Sequence, residues 1–280
     1  MTADNLDEVE AITDPAVRAR LATELLNTHQ GIVTRLARIR RQAIAELRAA
    51  GLSYAQVAEA LGVSRGRIAQ LRTHRAIEHD FFGGPAVTII TPLRTAGIER
   101  PVIAHEDFEA AMTLSRFLEA ADIQVTHGQV APNGDLDLSP DGLVAICGPK
   151  SSKVMDSIIA TDPLYRYAPD PSGRWRILDR ASGQEFSSPM DTDPAAEADI
   201  AYIARLPRLN DHRTFLVIAG IHAVGSLGVV HYLTQPGPLA ELHRMVGTKP
   251  FSMVVSATFT RSPLRILTSQ PLAPPRLHPS

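Results

Sequence analysis

Hydrophobic residues recur at helical spacing through the first part of the chain. Between residues 15 and 50 they are mostly three or four positions apart, as an amphipathic helix requires. Asp14 can accept hydrogen bonds from free amide groups at a helix start, and Pro15 gives up no hydrogen bond there. Ala50-Gly51 is a typical stop. The pattern predicts two helices, or one long bent helix, with a break around residues 27–31. Residues 1–14, with five acidic and no basic side chains, are expected to be flexible.

After residue 85 the pattern changes to short β-rich runs that alternate with helical runs. Predicted strands cover residues 87–93, 123–130, 143–148, 175–179, 200–206, 215–220 and 251–259. Predicted helices cover residues 106–120, 153–160, 224–233 and 238–246. Such alternation implies a mostly parallel sheet covered on both faces. The Gly-Gly-Pro at residues 83–85 marks a domain boundary. Residues 271–280 are Pro-rich and expected to be disordered.

The sharpest motif is GLSYAQVAEALGVSRGRIAQLR, at residues 51–72. Ser53 and Ser64 can each cap a short helix, and Gly62 supplies the positive φ that a tight turn needs. The inner faces of both helices are apolar: Val57, Ala58, Leu61, Ile68 and Leu71. Two short helices joined by a three- to four-residue turn are therefore predicted.

Together with the preceding RRQAIAELRAAG, this stretch resembles the helix-turn-helix of sigma-factor region 4 and of many bacterial one-component regulators. The resemblance covers about residues 40–74 and implies that the second helix enters the major groove of double-stranded DNA. Arginine and glutamine can bond base edges or phosphates there. The residues expected to contact DNA are Ser53, Ser64, Arg65, Gly66, Arg67, Gln70, Arg72 and Thr73. Nothing resembles the promoter-melting regions of a sigma factor, so a stand-alone sigma factor is not expected.

The distribution of charge agrees with a DNA-facing segment. The whole chain has a net charge of -2, yet residues 15–75 carry eleven arginines and three glutamates, a local charge of +8. A one-sign excess suits a phosphate-facing surface better than a merely solvated helical face does. Because a single helix-turn-helix touches few phosphates, we expect a homodimer.

Composition excludes several other classes of protein. The longest apolar stretch, residues 215–230, is broken by polar residues and is shorter than the roughly 20 apolar residues of a membrane span. The acidic amino terminus does not resemble a signal peptide, so a cytoplasmic, nucleoid-associated protein without a membrane partner is expected. The single cysteine, Cys147, excludes an internal disulfide framework and is predicted to be a buried, inert thiol.

Two glycine-bearing turns, ICGPKSS and AGIHAVGS, each lead from a predicted strand into a helix. Carboxyl ends of strands and amino termini of helices suit anionic ligands. The expected ligand-binding residues are Gly148, Pro149, Lys150, Ser151, Ser152, Gly220, His222, Gly225 and Ser226. Neither turn matches a known phosphate fingerprint, and close helix–strand packing would also explain the glycines. The segment 143–233 resembles a Rossmann-like module of bacterial and archaeal signalling or defence proteins, and this resemblance implies a nucleotide-like small molecule as ligand.

Catalytic signals are sparse. His222 lies in mid-turn and is either a catalytic base or a structural hydrogen-bonding group. Asp191 and Asp193 could chelate a cation or act as paired acids, or they could be part of a solvated loop. Neither a Ser-His-Asp arrangement nor metal-ligand spacing is convincing, so no catalytic residue, metal or cofactor is assigned.

The sequence thus predicts a two-domain α+β protein. An all-α helix-turn-helix domain spans residues 15–78, and an α/β Rossmann-like domain spans residues 86–270. The predicted function is a sequence-specific transcriptional regulator whose α/β domain senses a ligand or mediates self-association. One alternative is a nucleotide- or nucleoside-processing enzyme recruited to DNA. Another is a structural nucleoid or partition protein.

Overall fold

The computed structural model of the protein describes residues 4–64, 66, 68, 77–94, 101–131, 133–208 and 213–279. The chain divides into two compact units, residues 1–74 and residues 75–280. We call them the helical unit and the α/β unit. None of the helices in the described ranges has the length and apolar character needed to cross a membrane.

The helical unit begins with α1 (Asp4–Glu10) and α2 (Pro15–Ala49). The expectation of a flexible amino terminus is wrong for residues 4–10: they form a helix in which Val9 is buried, and the Arg18 guanidinium donates to the Ile12 carbonyl oxygen at 3.0 Å. The expected break around residues 27–31 is also absent, because α2 runs through it. A single helical glycine, Gly31, costs only about 1 kcal/mol, too little to end a long helix.

A second part of the helical unit follows the Gly51 stop. Helix α3 (Tyr54–Ala60) begins with a complete capping box: the Gln56 amide donates to Ser53 Oγ at 3.3 Å, and the Ser53 amide donates to Gln56 Oε1 at 2.7 Å. Gly62 has φ +63°, as the turn prediction requires. Residues 66 and 68 are helical again. A small core of buried side chains holds these pieces together: Ile44, Val57, Ala58 and Ile68.

In the α/β unit, the described residues form an eight-stranded mixed sheet. Its strands are β1 (Ala86–Pro92), β2 (Gln124–Val130), β3 (Leu143–Ile146), β7 (Ala198–Pro207), β8 (Thr214–Gly220), β9 (Phe251–Arg261), β10 (Leu264–Pro271) and β11 (Arg276–Leu277). The spatial order is β10-β9-β7-β8-β3-β1-β2, and β11 pairs with β9. A separate three-stranded sheet contains β4 (Tyr165–Pro169), β5 (Trp175–Asp179) and β6 (Glu185–Ser187).

Strands β2, β1, β3 and β8 are parallel, whereas β7, β9, β10 and β11 pair in antiparallel fashion. The prediction of a mostly parallel sheet is therefore right for only half of it. The reason lies in the connections, since only six residues join β7 to β8 and two join β9 to β10. Connections this short cannot make the crossover that parallel neighbours need.

Helices cover both faces of the large sheet. They are α4 (Ile77–Phe82), α5 (His105–Ala120), α6 (Lys153–Ala160), α7 (Ala223–Thr234) and α8 (Pro238–Val246), and a short 3-10 turn spans Pro189–Asp191. One hydrophobic core contains residues of α5, α7 and α8, and a second contains residues of α6 and the small sheet. The predicted bounds of α6, α8 and β5 are confirmed to the residue.

The expected disorder of residues 271–280 is wrong for the part that the structure describes. Strand β11 pairs with β9, and the His278 Nε2 atom lies 2.6 Å from Ser252 Oγ. The Arg276 guanidinium lies over the Tyr165 ring. The prolines of this segment disfavour a helix. The residues between them, Arg276 and Leu277, keep their backbone groups for pairing with β9.

Candidate ligand-binding cleft

The order of the parallel strands places a crevice at their carboxyl ends. From β1 the chain adds β2 on one side, and then β3 and β8 on the other. The carboxyl ends of β1 and β3 thus flank the point at which the strand order reverses, where open α/β sheets bind ligands. A cleft of about 390 Å³ lies there, lined by residues that follow β1, β3 and β8. Its volume lies within the range of small-molecule sites.

Most of the predicted ligand-binding residues meet in this cleft. Those that line it are Gly148, Lys150, Ser151, Gly220, His222 and Ser226. Pro149, Ser152 and Gly225 are not among the lining residues. The Ser152 hydroxyl is occupied elsewhere, because it donates to the Gly134 carbonyl oxygen at 2.6 Å and accepts the Met155 amide at 3.2 Å as the cap of α6.

Several of these residues are required by packing. A Cβ on Gly220 would lie 2.0 Å from the His222 carbonyl oxygen, and a Cβ on Gly225 would lie 2.5 Å from Asp199 Oδ2. Ser226 Oγ accepts the Gly220 amide at 2.9 Å, which ties strand β8 to the first turn of α7. The packing explanation of the glycines is therefore correct for Gly220 and Gly225. At Gly148 an added Cβ would make only an ordinary contact of 3.7 Å with the Ala219 Cβ.

Lys150 provides a positive charge inside the cleft. Its Nζ donates to the Ile221 carbonyl oxygen at 2.6 Å, so the turn after β3 is joined to the turn after β8. Burial lowers the pKa of Lys150, while the nearby carboxylates of Asp191 and Asp199 act in the opposite direction and the cation of Arg94 lowers it further. An ammonium group held this way can attract an anionic ligand group.

His222 is fixed by two carboxylates from different segments. Its Nε2 lies 3.0 Å from Asp191 Oδ1, and its main-chain amide donates to Asp199 Oδ2 at 3.0 Å. The Arg174 guanidinium donates to the Asp191 carbonyl oxygen at 2.9 Å and so holds the 3-10 turn. Asp199 is almost completely buried, and burial raises its pKa against the contrary influence of Ser188 and His222. A carboxylate that orients an imidazole is a common arrangement for a catalytic base.

Of the alternatives for Asp191 and Asp193, a role as a pair finds no support in their contacts. Asp191 is bonded to His222, whereas Asp193 Oδ1 accepts the Ala195 amide at 2.9 Å within its own loop. No group of three or more His, Cys, Asp or Glu side chains suited to a metal ion occurs among the described residues.

Arg94 and Asp107 line the cleft, although no sequence pattern predicted them. Arg94 Nη2 lies 2.9 Å from Asp107 Oδ2. Burial raises the pKa of Asp107 to about 6, although the Arg94 charge opposes the shift. Arg94 follows an ordinary Pro-Leu. Acidic residues such as Asp107 are common in the first turn of a helix. Neither residue therefore stands in a sequence pattern that would mark a ligand site. Cys147, at the end of β3, is buried as predicted, and burial raises its pKa to about 12, so the thiol stays uncharged.

Part of the predicted DNA-contacting set lies outside the described residues: Arg65, Arg67, Gln70, Arg72 and Thr73. Of the others, Ser53 is exposed and caps α3. Ser64 and Gly66 are exposed, and the Ser64 carbonyl oxygen accepts the Ile68 amide at 3.1 Å.

Comparison with known proteins finds only a partial likeness. No family model matches the chain, and no solved structure matches it. The chain is similar to one subunit of the aspartyl/glutamyl-tRNA(Asn/Gln) amidotransferase, in Mycobacterium leprae (strain Br4923) and in Mycobacterium sp. (strain KMS). Each alignment is 29% identical over 108 residues, which is 38% of this chain and 21% of the relative. The chain thus spans about a fifth of the length of the curated relatives that it matches.

Proposed function

We propose that the protein is a sequence-specific DNA-binding transcriptional regulator. In this proposal a helix-turn-helix in the helical unit binds duplex DNA, and the cleft of the Rossmann-like α/β unit binds a small anionic ligand that controls it. The observation that carries the proposal is the construction of residues 44–68: a capped helix, a Gly62 turn with φ +63° and a second helical segment share one buried core. These are the parts from which a helix-turn-helix is built.

Charge supports the same proposal. A segment with a local charge of +8 would attract the phosphate backbone of DNA. Placing Ser64 at the start of the second helix would put Arg65 and Arg67 in its first turn, where recognition helices contact base edges. Self-association would place two such helices on adjacent half-sites and so increase affinity. The partial likeness to an amidotransferase adds no DNA or ligand chemistry to this proposal.

Genome-wide footprinting of the full chain tests the DNA-binding proposal. Wild-type protein is expected to protect defined sites, and the double variant Arg65→Ala/Arg67→Ala is expected to bind those sites at least about 30-fold more weakly, since each lost contact costs about 1–3 kcal/mol. The double variant Arg166→Ala/Arg244→Ala removes two exposed charges of the α/β unit and is the control. A wild-type protein with no salt-dependent preference for any genomic duplex over random DNA would refute the proposal.

A second candidate function is favoured by the contact between His222 and Asp191. An enzyme of nucleotide or nucleoside chemistry could use this pair as a general base in the cleft. We expect any turnover of a nucleotide panel by purified protein to fall by at least about 100-fold in His222→Ala and in Asp191→Asn. His231→Ala is the matched control, because His231 lies on α7, the helix that follows His222, but bonds Ser269 Oγ at 2.7 Å. This candidate is eliminated if His222→Ala and Asp191→Asn turn over the nucleotides as fast as the wild-type protein and His231→Ala do.

A further inference from the structure

The ion pair between Arg94 and Asp107 is built asymmetrically. The Asp107 side chain is 4% exposed, whereas the Arg94 side chain is 45% exposed. The Arg94 backbone is fixed, because its amide and carbonyl groups both bond Val102 at 2.8 Å. The arginine side chain can therefore turn towards the cleft without any movement of the backbone, but the carboxylate cannot follow it into water.

A second cation, Lys150, lines the same cleft as Arg94. Two like charges in one cleft repel each other, and the Arg94 charge acts together with burial to lower the pKa of Lys150. A ligand anion between them would relieve this repulsion. In addition, α7 begins at the cleft with no side-chain cap on its first-turn amide groups, which favours negative charge at the same place.

We infer that Arg94 exchanges Asp107 for a dianionic group of the ligand, such as a phosphate, and that Asp107 takes up one proton from solvent when its partner leaves. This inference rests on the anion-binding part of the proposed function. A buried carboxylate without a counter-ion is strongly unfavourable, and neutralisation is the usual response. Asp107 already tends towards the neutral form, because burial raises its pKa to about 6 even with Arg94 in place.

The other groups around Asp107 cannot replace Arg94. Lys150, the second cation that lines the cleft, donates its Nζ to the Ile221 carbonyl oxygen at 2.6 Å. On its own helix, the neighbouring Glu106 raises the Asp107 pKa further. At the end of β3, the Cys147 thiol is uncharged, since its pKa is about 12. From β2, His127 bonds Ser115 at 3.2 Å, two turns further along α5. His222, at the start of α7, is bonded to Asp191.

The exchange has a measurable sign. At pH 7 a carboxyl group with a pKa of about 6 is about one-tenth protonated, so binding would take up as much as about 0.9 proton. Because the bound state holds more protons, a higher pH weakens binding. Affinity for an anion of constant charge should fall by nearly tenfold between pH 7 and pH 8.

Isothermal titration calorimetry of the full chain with sulfate and with adenosine 5′-monophosphate tests the exchange. Sulfate keeps its charge of -2 from pH 6 to pH 8, so any proton taken up belongs to the protein. Titrations at pH 7 in two buffers with different heats of ionisation give the number of protons directly. We expect about 0.9 proton for each sulfate bound by wild-type protein.

Two variants separate the roles of the ion pair. Asp107→Asn should bind sulfate with no proton uptake, about tenfold more tightly than wild type at pH 7 and about 100-fold more tightly at pH 8, because Arg94 no longer leaves a charged partner. Arg94→Gln should lose most of the affinity. Arg176→Gln and Glu185→Gln are the matched controls, since they break an ion pair in the small sheet, and should behave as wild type.

The possible outcomes distinguish the two proposals. Binding without proton uptake, or uptake that persists in Asp107→Asn, would overturn the exchange alone and leave the anion site intact. If neither sulfate nor adenosine 5′-monophosphate binds the wild-type protein, both the anion site and the exchange are overturned. Neither result touches the DNA-binding proposal, which the footprinting experiment tests separately.

Discussion

Gly220→Ala is expected to lower the free energy of unfolding of the α/β unit by about 3 kcal/mol or more. The added Cβ would lie 2.0 Å from the His222 carbonyl oxygen and 2.7 Å from the Ser226 amide nitrogen. Both atoms belong to the backbone where β8 leads into α7, so neither can rotate away. The backbone would have to shift at the carboxyl end of β8, a central strand that contributes residues to both hydrophobic cores.

Urea denaturation followed by tryptophan fluorescence measures this loss. Trp175 is the single tryptophan of the chain and lies in β5, so its signal reports on the α/β unit alone. Gly148→Ala is the matched control in the same cleft, because its Cβ would make an ordinary 3.7 Å contact. We expect that variant to stay within about 1 kcal/mol of wild type. Equal losses in the two variants would contradict the packing explanation of Gly220.

Arg205→Met is expected to destabilise the α/β unit by about 3–5 kcal/mol. The buried guanidinium donates to three carbonyl oxygens: those of Gly247 at 3.0 Å, Lys249 at 2.9 Å and Phe81 at 2.8 Å. It also lies over the rings of Phe81 and Phe251. Methionine fills similar volume but leaves the carbonyl groups without these donors. The change therefore disconnects α4 from the loop that precedes β9.

The same fluorescence assay measures the effect of Arg205→Met. Arg244→Met is the control, because Arg244 is exposed on α8 and its nearest carboxylate, that of Glu241, is 3.9 Å away. We expect its effect to stay within about 0.5 kcal/mol. A loss below about 1 kcal/mol in Arg205→Met would show that water replaces the guanidinium at these carbonyl groups. Burial also lowers the pKa of Arg205 to about 10, yet the group remains charged at neutral pH.

The elements that sequence patterns predicted are those with strong hydrophobic runs. Strand β5 and helices α6 and α8 bury clear apolar faces, and their bounds agree with the prediction. Strand β10 was not predicted because it lies at the edge of the sheet and exposes most of its residues, which leaves little alternation to detect. Strand β11 has only two residues and depends on β9 for pairing.

The cleft was predicted in outline but not in its charges. The two glycine turns were found because strands that enter helices share one edge of a parallel sheet. The pairing of His222 with Asp191 spans 31 residues, and that of Arg94 with Asp107 spans 13. Both separations are too long for the partners to meet within one helix turn or along one strand. Only the folded sheet brings the two partners of each pair into contact.

The sequence by itself determined what depends on neighbours a few residues apart. It specified the caps at Asp14 and Ser53, the glycine turn at residue 62 and the buried strand runs, because capping, backbone conformation and periodicity are local. The tertiary structure alone decided strand direction in half of the sheet and the carbonyl partners of Arg205. It also decided the contact between Arg94 and Asp107. These features join residues that are remote along the chain, and their energies come from burial and charge pairing, which local sequence does not encode.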